Sequence, residues 1–162
     1  MGIPSFSSLH FELHHIFICT DVNAPVAQRL IDFGLLEGRS NTHPGQGTTN
    51  RCFFFQNTML ELLWVHDPVE AQTPLTQTTR LWERWRDRSL YDEVICAHSF
   101  SPFGIALRPM HPDCSLLPFS GWHYKPTYLP DPLTIWIGDN SDNISEPMLF
   151  YLAFAQRKPR QP

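Results

Sequence analysis

RSNTHPGQGTTNRCFFFQNTMLELLWV, residues 39–65, reads as a polar, glycine-containing loop over 43–49, a strongly β-forming run over 50–56 and a returning strand over 59–66. With Asn57-Thr58 as a two-residue turn, Phe54 faces Glu61, Cys52 faces Leu63 and Asn50 faces Val65 on one side of the hairpin. Arg51 and Trp64 share the opposite side. Glu61 stands as a lone carboxylate between Leu60 and Leu62. An ionised carboxylate in a low-dielectric interior is costly unless it is paired, hydrogen-bonded, metal-bound or protonated. The partner nearest to hand is the histidine pair of LHHIFIC, residues 13–19, the other strongly apolar stretch of the first half.

Working outward, residues 10–20 form a strand rich in β-branched and aromatic side chains, ended by residues 21–23. Asn23 is placed to cap a helix that opens with Pro25, carries Val26, Leu30 and Phe33 at helical spacing and stops at Gly34. Residues 35–39 follow as a short strand. Residues 67–77 read as loop, and TTRLWERWRDR (78–88) as an amphipathic connector helix with Leu81, Trp82 and Trp85 on one packing stripe. Short strands then occupy 103–108 (FGIALR), 122–128, 133–138 (LTIWIG) and 148–154 (MLFYLAF), with no long helix between Pro109 and Ser120. The 15 prolines crowd this second half and cut it into short pieces, because proline donates no ladder hydrogen bond and breaks helices. The element order is βαβββ followed by a copy whose helix has eroded. Residues 9–66 are the first module, 67–100 the linker with its connector helix, and 101–156 the degenerate second module of a single 1–162 unit.

Composition narrows the function classes. A chain of 162 residues holds one sizeable core. A net charge of −4 and the absence of any basic run before Arg157-Lys158-Pro159-Arg160 leave no nucleic-acid footprint. No segment approaches the roughly 18 to 20 apolar residues of a membrane span, and the N-terminus lacks a secretory pattern, so a cytoplasmic protein is expected. Cys19, Cys52, Cys96 and Cys114 show no CxxC spacing and read as small buried hydrophobes of a reducing compartment.

Three stretches, LHHIFICTDV, HPGQGTTNRCFFFQNTMLELLWV and SPFGIALRP, resemble the vicinal oxygen chelate superfamily, and within it the glyoxalase-like domain proteins. The resemblance covers most of the chain and is strongest over residues 12–64. It implies an α+β fold of two βαβββ modules whose sheets curl into one cup around a divalent metal, Zn, Mn, Fe or Ni. It also implies His15, rather than His14, and Glu61 as the first module's ligands, and a homodimer. The second module should supply an equivalent pair, yet FGIALR has no central histidine or glutamine and MLFYLAF no carboxylate. Glu146 stands before Pro147 at the strand's edge, and His98 and His123 are near in sequence only. The site is therefore incomplete, shifted, completed by a second chain, or absent.

Several residues carry two readings each. Glu61 is either a ligand that doubles as an acid/base group, or a neutral carboxyl hydrogen-bonded to Asn50 or water. His43 and Gln46 either belong to a plain turn or stand at the cup's mouth with Asn50, His43 then serving as acid or base. Arg51 either stacks on Trp64 or reaches an anionic ligand group. Arg108 either binds a carboxylate or phosphate or ends a strand in solvent. Trp122, with Tyr124, Tyr128 and Trp136, either walls a pocket or packs in the core. The functions that follow are a metal-dependent lyase, isomerase (epimerase) or dioxygenase acting on a small oxygen-chelating metabolite, a small-molecule binding or sequestering protein without chemistry, or an interaction module with a vestigial site.

Overall fold

A computed structural model describes residues 10–88 and 100–156. Its strands are β1 (Phe11–Cys19), β2 (Thr42–His43), β3 (Thr48–Phe54), β4 (Met59–Val65), β5 (Phe103–Pro109), β6 (Gly121–Tyr124), β7 (Ile135–Gly138) and β8 (Met148–Tyr151). All eight join one mixed sheet in the order β2-β3-β4-β1-β5-β8-β7-β6. Each half mirrors the other. β1 runs parallel to β4 and β5 parallel to β8, and the halves meet at the antiparallel β1/β5 seam. His15 pairs with Met59 and Gly104 with Met148, the same separation along the chain, so the internal repeat extends to register. This curled α+β sheet is the glyoxalase-like arrangement.

Strand alternation assigns the two faces. Phe17, Cys19 and Leu63 turn inward to a core shared with Ala106, Ile137 and Phe150 of the second half. Phe53, Leu62 and Trp64 turn outward and pack with Ala24 and Ala27 beside α1 (Ala27–Asp32). Both faces of β4 are therefore covered, which explains its nearly unbroken apolar sequence. At the seam Gly104 meets the Phe17 ring, and a Cβ built there would lie 1.9 Å from that ring, so only glycine fits.

Several elements depart from the sequence reading for identifiable reasons. The hairpin turns at Gln56-Asn57, with Phe55 N donating to Thr58 O at 2.8 Å. Moving the turn by one residue shifts the register by two, so Glu61 pairs with Cys52 and Asn50 with Leu63 while every side chain keeps its face. Asn23 does not cap α1: it and Ala24 adopt positive φ (67° and 44°) in a turn, and Val26 opens the helix without a side-chain cap. The 35–39 segment shrinks to a single bridge, Glu37 to Phe53. Residues 67–77 are not loop throughout. Asp67 and Thr73 cap two short helices, α2 (Pro68–Ala71) and α3 (Pro74–Gln77), each with proline at its first position. Arg80, at φ 59°, separates α3 from α4 (Leu81–Arg86), which confines the connector helix to its middle. In the second module the strands end at Tyr124 and Tyr151, short of the expected limits. No helix among the described residues is long and apolar enough to cross a membrane. Cys96 and His98 lie outside the described residues.

α4 also carries a residue the sequence reading passed over. Arg84 has no exposed surface, and its guanidinium donates to the carbonyls of Ser101, Ser141, Asn143, Ile144 and Glu146. The five acceptors stand in for water at Nη1 and Nη2, while Nε is buried without a partner among the described residues. The clamp ties the connector to the segments leading into β5 and β8.

Candidate ligand cavity

The concave side of the sheet encloses a cavity of about 340 Å³ whose two halves differ in chemistry. The first module lines it with His15, His43, Gln46, Asn50 and Glu61. The second contributes Ile135, Ile137, Met148, Phe150, Leu152 and Phe154, together with Tyr124 and Tyr128. Polar groups therefore converge on one side of a largely apolar chamber, the usual plan of a small-molecule site.

Glu61 is 6% exposed, and each of its oxygens has one partner. Its Oε1 accepts from Asn50 Nδ2 at 2.6 Å and its Oε2 lies 3.2 Å from His15 Nε2. Asn50 cannot turn away, because its Oδ1 accepts from the Asn41 backbone N–H at 2.8 Å. Burial pushes the Glu61 carboxyl up, but the hydrogen bond and charge of His15, the charge of His43 and the Asn50 hydrogen bond outweigh it and hold the group down at about 2. Glu61 is thus ionised at neutral pH, with lone pairs left to accept from a guest.

Behind this pair stands His14. Strict alternation would send its ring to the opposite face, yet the register of β1 against β5 shifts between Leu13 and His15. The irregularity brings the two rings together, His14 Nδ1 lying 2.7 Å from His15 Nδ1. Burial first, then the charges of His15 and Arg108, push His14 down to about 4. Both nitrogens of His15 are therefore occupied, one by His14 and one by Glu61. Burial also lowers His43, whose Nδ1 lies 2.9 Å from Thr48 Oγ1 and whose ring packs 5.0 Å from that of Tyr128.

The remaining candidates lie elsewhere. Arg51 is on the outer face, where Nε and Nη2 form a two-pronged pair with Glu37 at 2.6 Å each, so it neither stacks on Trp64 nor reaches the cavity. Arg108 pairs with Glu12 at 2.8 Å and donates to Asn57 O at 3.0 Å, beside a second hollow of about 220 Å³ that it shares with His14. It does not line the main chamber. Trp122 packs against the core of the second module next to Tyr124, outside the lining. Of Trp122, Tyr124, Tyr128 and Trp136, it is Tyr124 and Tyr128 that line the chamber. Their signal lay in the polar partners that buried tyrosine hydroxyls require. Cys19 and Cys52 are buried and free, and burial pushes each thiol up to about 12, so neither is a thiolate near neutrality. Cys114 is only partly buried, unlike the small buried hydrophobe expected of it.

The donor set can be compared with the metal centre that the resemblance implies. His15 and Glu61 converge, but the facing atoms, Nε2 and Oε2, are spent on each other. Across the seam His15 opposes Ala106, and the ring beside it is that of Phe150. Among the described residues no group of three or more His, Cys, Asp or Glu side chains gathers in a way that could hold a metal ion. The residues present do not fit a centre fed by both modules, since the second supplies methyl and phenyl groups where imidazole or carboxylate would be needed.

Comparison with known proteins places the fold and little else. No protein-family model and no curated protein matches the chain. Among solved structures, a hypothetical protein from Bacillus halodurans C-125 aligns over 94% of this chain and 98% of its own, with a TM-score of 0.50 and 11% identity. A hypothetical protein from Staphylococcus aureus aligns over 90% of this chain and 60% of its own (TM-score 0.48, 13% identity). Methylmalonyl-CoA epimerase from Mycobacterium tuberculosis aligns over 91% and 89% (TM-score 0.46, 10% identity). At such identities the likeness is one of fold alone.

Proposed function

We propose that the chain is a small-molecule binding protein of glyoxalase-like fold, its cavity taking a compact molecule with an apolar body and a polar head that docks on Glu61. The observation that carries this reading is a buried, ionised carboxylate with spare lone pairs, grouped with His15, His43, Gln46 and Asn50 on one side of a largely apolar chamber of about 340 Å³. That volume suits a molecule of one or two rings. The apolar wall favours burial of the body at about 25 cal/mol per Å² of surface removed from water. The head replaces the water that would otherwise solvate Glu61.

The test pairs ligand screening with metal analysis on protein purified without chelator. A ligand that prefers the native state raises the melting temperature with its concentration, and Glu61→Leu should abolish that rise for polar-headed compounds. Silence across a broad library of small aromatic and aliphatic compounds would end the binding reading. Stoichiometric divalent metal, lost in both His15→Ala and Glu61→Ala, would overturn it in favour of metal-dependent lyase, isomerase or dioxygenase chemistry.

A further inference from the structure

One polar chain links Tyr124 and Tyr128 of the second module to His43 of the first. β2 and β6 are the two edges of the sheet, and side chains rather than a ladder join the segments beside them. Tyr124 OH donates to Gln46 Oε1 at 3.2 Å, and Tyr128 OH donates to the same oxygen at 3.4 Å. Gln46 Nε2 donates to Thr48 Oγ1 at 2.8 Å, and Thr48 Oγ1 lies 2.9 Å from His43 Nδ1. Gln46 and Thr48 are 6% and 1% exposed, so water does not substitute for these partners.

Each hydroxyl in the chain has one proton, and that decides the direction of every bond. Two tyrosine hydroxyls, that of Tyr124 buried and that of Tyr128 half-buried, converge on one acceptor, which turns the Gln46 carbonyl toward them and its amide nitrogen toward Thr48. Turned the other way, Gln46 would present its NH₂ group to both hydroxyls, leaving Tyr124 only Thr76 as a partner and Tyr128 no acceptor in this network, at about 1–3 kcal/mol. Thr48 Oγ1 therefore accepts from Gln46 and has its own proton free to give. Among the described residues the acceptor within its reach is His43 Nδ1. An imidazole that accepts at Nδ1 holds its proton at Nε2. His43 lines the chamber, and among the described residues its Nε2 makes no hydrogen bond.

We infer that Tyr124 and Tyr128 orient Gln46, that Gln46 orients Thr48, and that Thr48 fixes His43 as the Nε2–H tautomer, so that the chamber selects a neutral head group pairing an acceptor for His43 with a donor for Glu61. A primary amide is the simplest such head. Its carbonyl takes the His43 proton and its NH₂ group gives one to Glu61. A carboxylate would meet Glu61 as a like charge, and an ammonium would leave the His43 donor unanswered. This selectivity rests on the cavity being a ligand site, whereas the tautomer does not.

Two measurements separate those layers. ¹⁵N NMR of the His43 ring should show Nε2 protonated and Nδ1 bare; the reverse assignment overturns the relay. Gln46→Glu puts an acceptor where the amide donor stood, so Thr48 gives its proton there, His43 must donate from Nδ1, and the tautomer reverses. If that variant does not fold, the double variant Tyr124→Phe/Tyr128→Phe should release Gln46 and give a tautomer mixture. An unchanged spectrum in a folded variant overturns the relay. Benzamide, benzoate and benzylamine share one ring and differ in the head. Benzamide should bind wild type about tenfold more tightly than either, the worth of one hydrogen bond, and lose that margin in Gln46→Glu. Tighter binding of benzoate or benzylamine overturns the selectivity and leaves the cavity reading standing. Failure of all three to bind overturns the selectivity, and the broad library then decides the cavity reading separately.

Discussion

The two modules of this sheet share a register and divide the labour. β1, β3 and β4 present His15, Asn50 and Glu61 to the chamber, while β8 presents Met148 and Phe150, and Ala106 of β5 is the residue paired with His15 across the seam. The first module's outer face packs beside α1, whereas residues 110–120 of the second form no helix. The contrast teaches that backbone pairing and side-chain chemistry are separable. Parallel pairing with a conserved offset needs only main-chain groups and small residues at the seam, so it tolerates a module whose inner surface is apolar apart from two tyrosine hydroxyls. The polar half depends on that neighbour all the same, because the apolar wall excludes water from Glu61 and the two tyrosines close the mouth.

The largest expected effect falls on the junction between the modules. Arg84→Met should strand the carbonyls leading into β8 and cost about 5 kcal/mol, read as a lower urea midpoint. If the midpoint holds, the clamp is not what docks the second module. Phe150→Ala should cost about 4 kcal/mol through the cavity it opens, and the enlarged chamber should accept bulkier ligands. An unchanged ligand size limit would mean that the apolar wall does not bound the site.

The polar half should show itself in acid. Because the folded Glu61 carboxyl sits at about 2, below its ordinary 4.5, its stabilisation is complete above pH 4.5 and is lost as pH falls toward 2, about 3 kcal/mol in all. His14, pushed down to about 4 from 6.5, must take up a proton on unfolding, so it adds a loss that begins below pH 6.5. Urea titrations from pH 7 to pH 3 should slope steeply for wild type and more gently for Glu61→Gln and for His14→Gln. Identical slopes would mean that the carboxylate carries no such load. The smallest effect belongs outside the chamber. Arg51→Ala removes a partly exposed pair with Glu37, should cost under about 1 kcal/mol, and should leave ligand affinity intact. A drop in affinity would place Arg51 in the site after all.

Much of the frame was legible in the chain because it is written in short-range patterns. The hairpin around Glu61, the strands at 103–108 and 148–154, the stop at Gly34 and the lost second helix all follow from β-branched runs, glycine and proline. The Asp67-Pro68 and Thr73-Pro74 pairs carried equally plain cap signals for two short helices. The misplaced turn at Asn57-Thr58 kept its facing sides because a shift of two preserves strand parity. What escaped the pattern were features with partners far along the chain. Arg84 reads as one more polar residue on an amphipathic helix until five carbonyls surround it, and Arg51 shows a partner only once residue 37 is folded beside it.

By itself, then, the sequence determined that a carboxylate and a histidine pair would be carried on strands with one apolar core, since burial and alternation are local consequences of residue type. Only the tertiary structure decided what those groups could become. The strand irregularity that joins His14 to His15, the Ala106 and Phe150 surfaces opposite them, and the tyrosines that set Gln46 all depend on pairing between residues tens of positions apart. Such pairing is a property of register, and register is settled by the whole sheet at once.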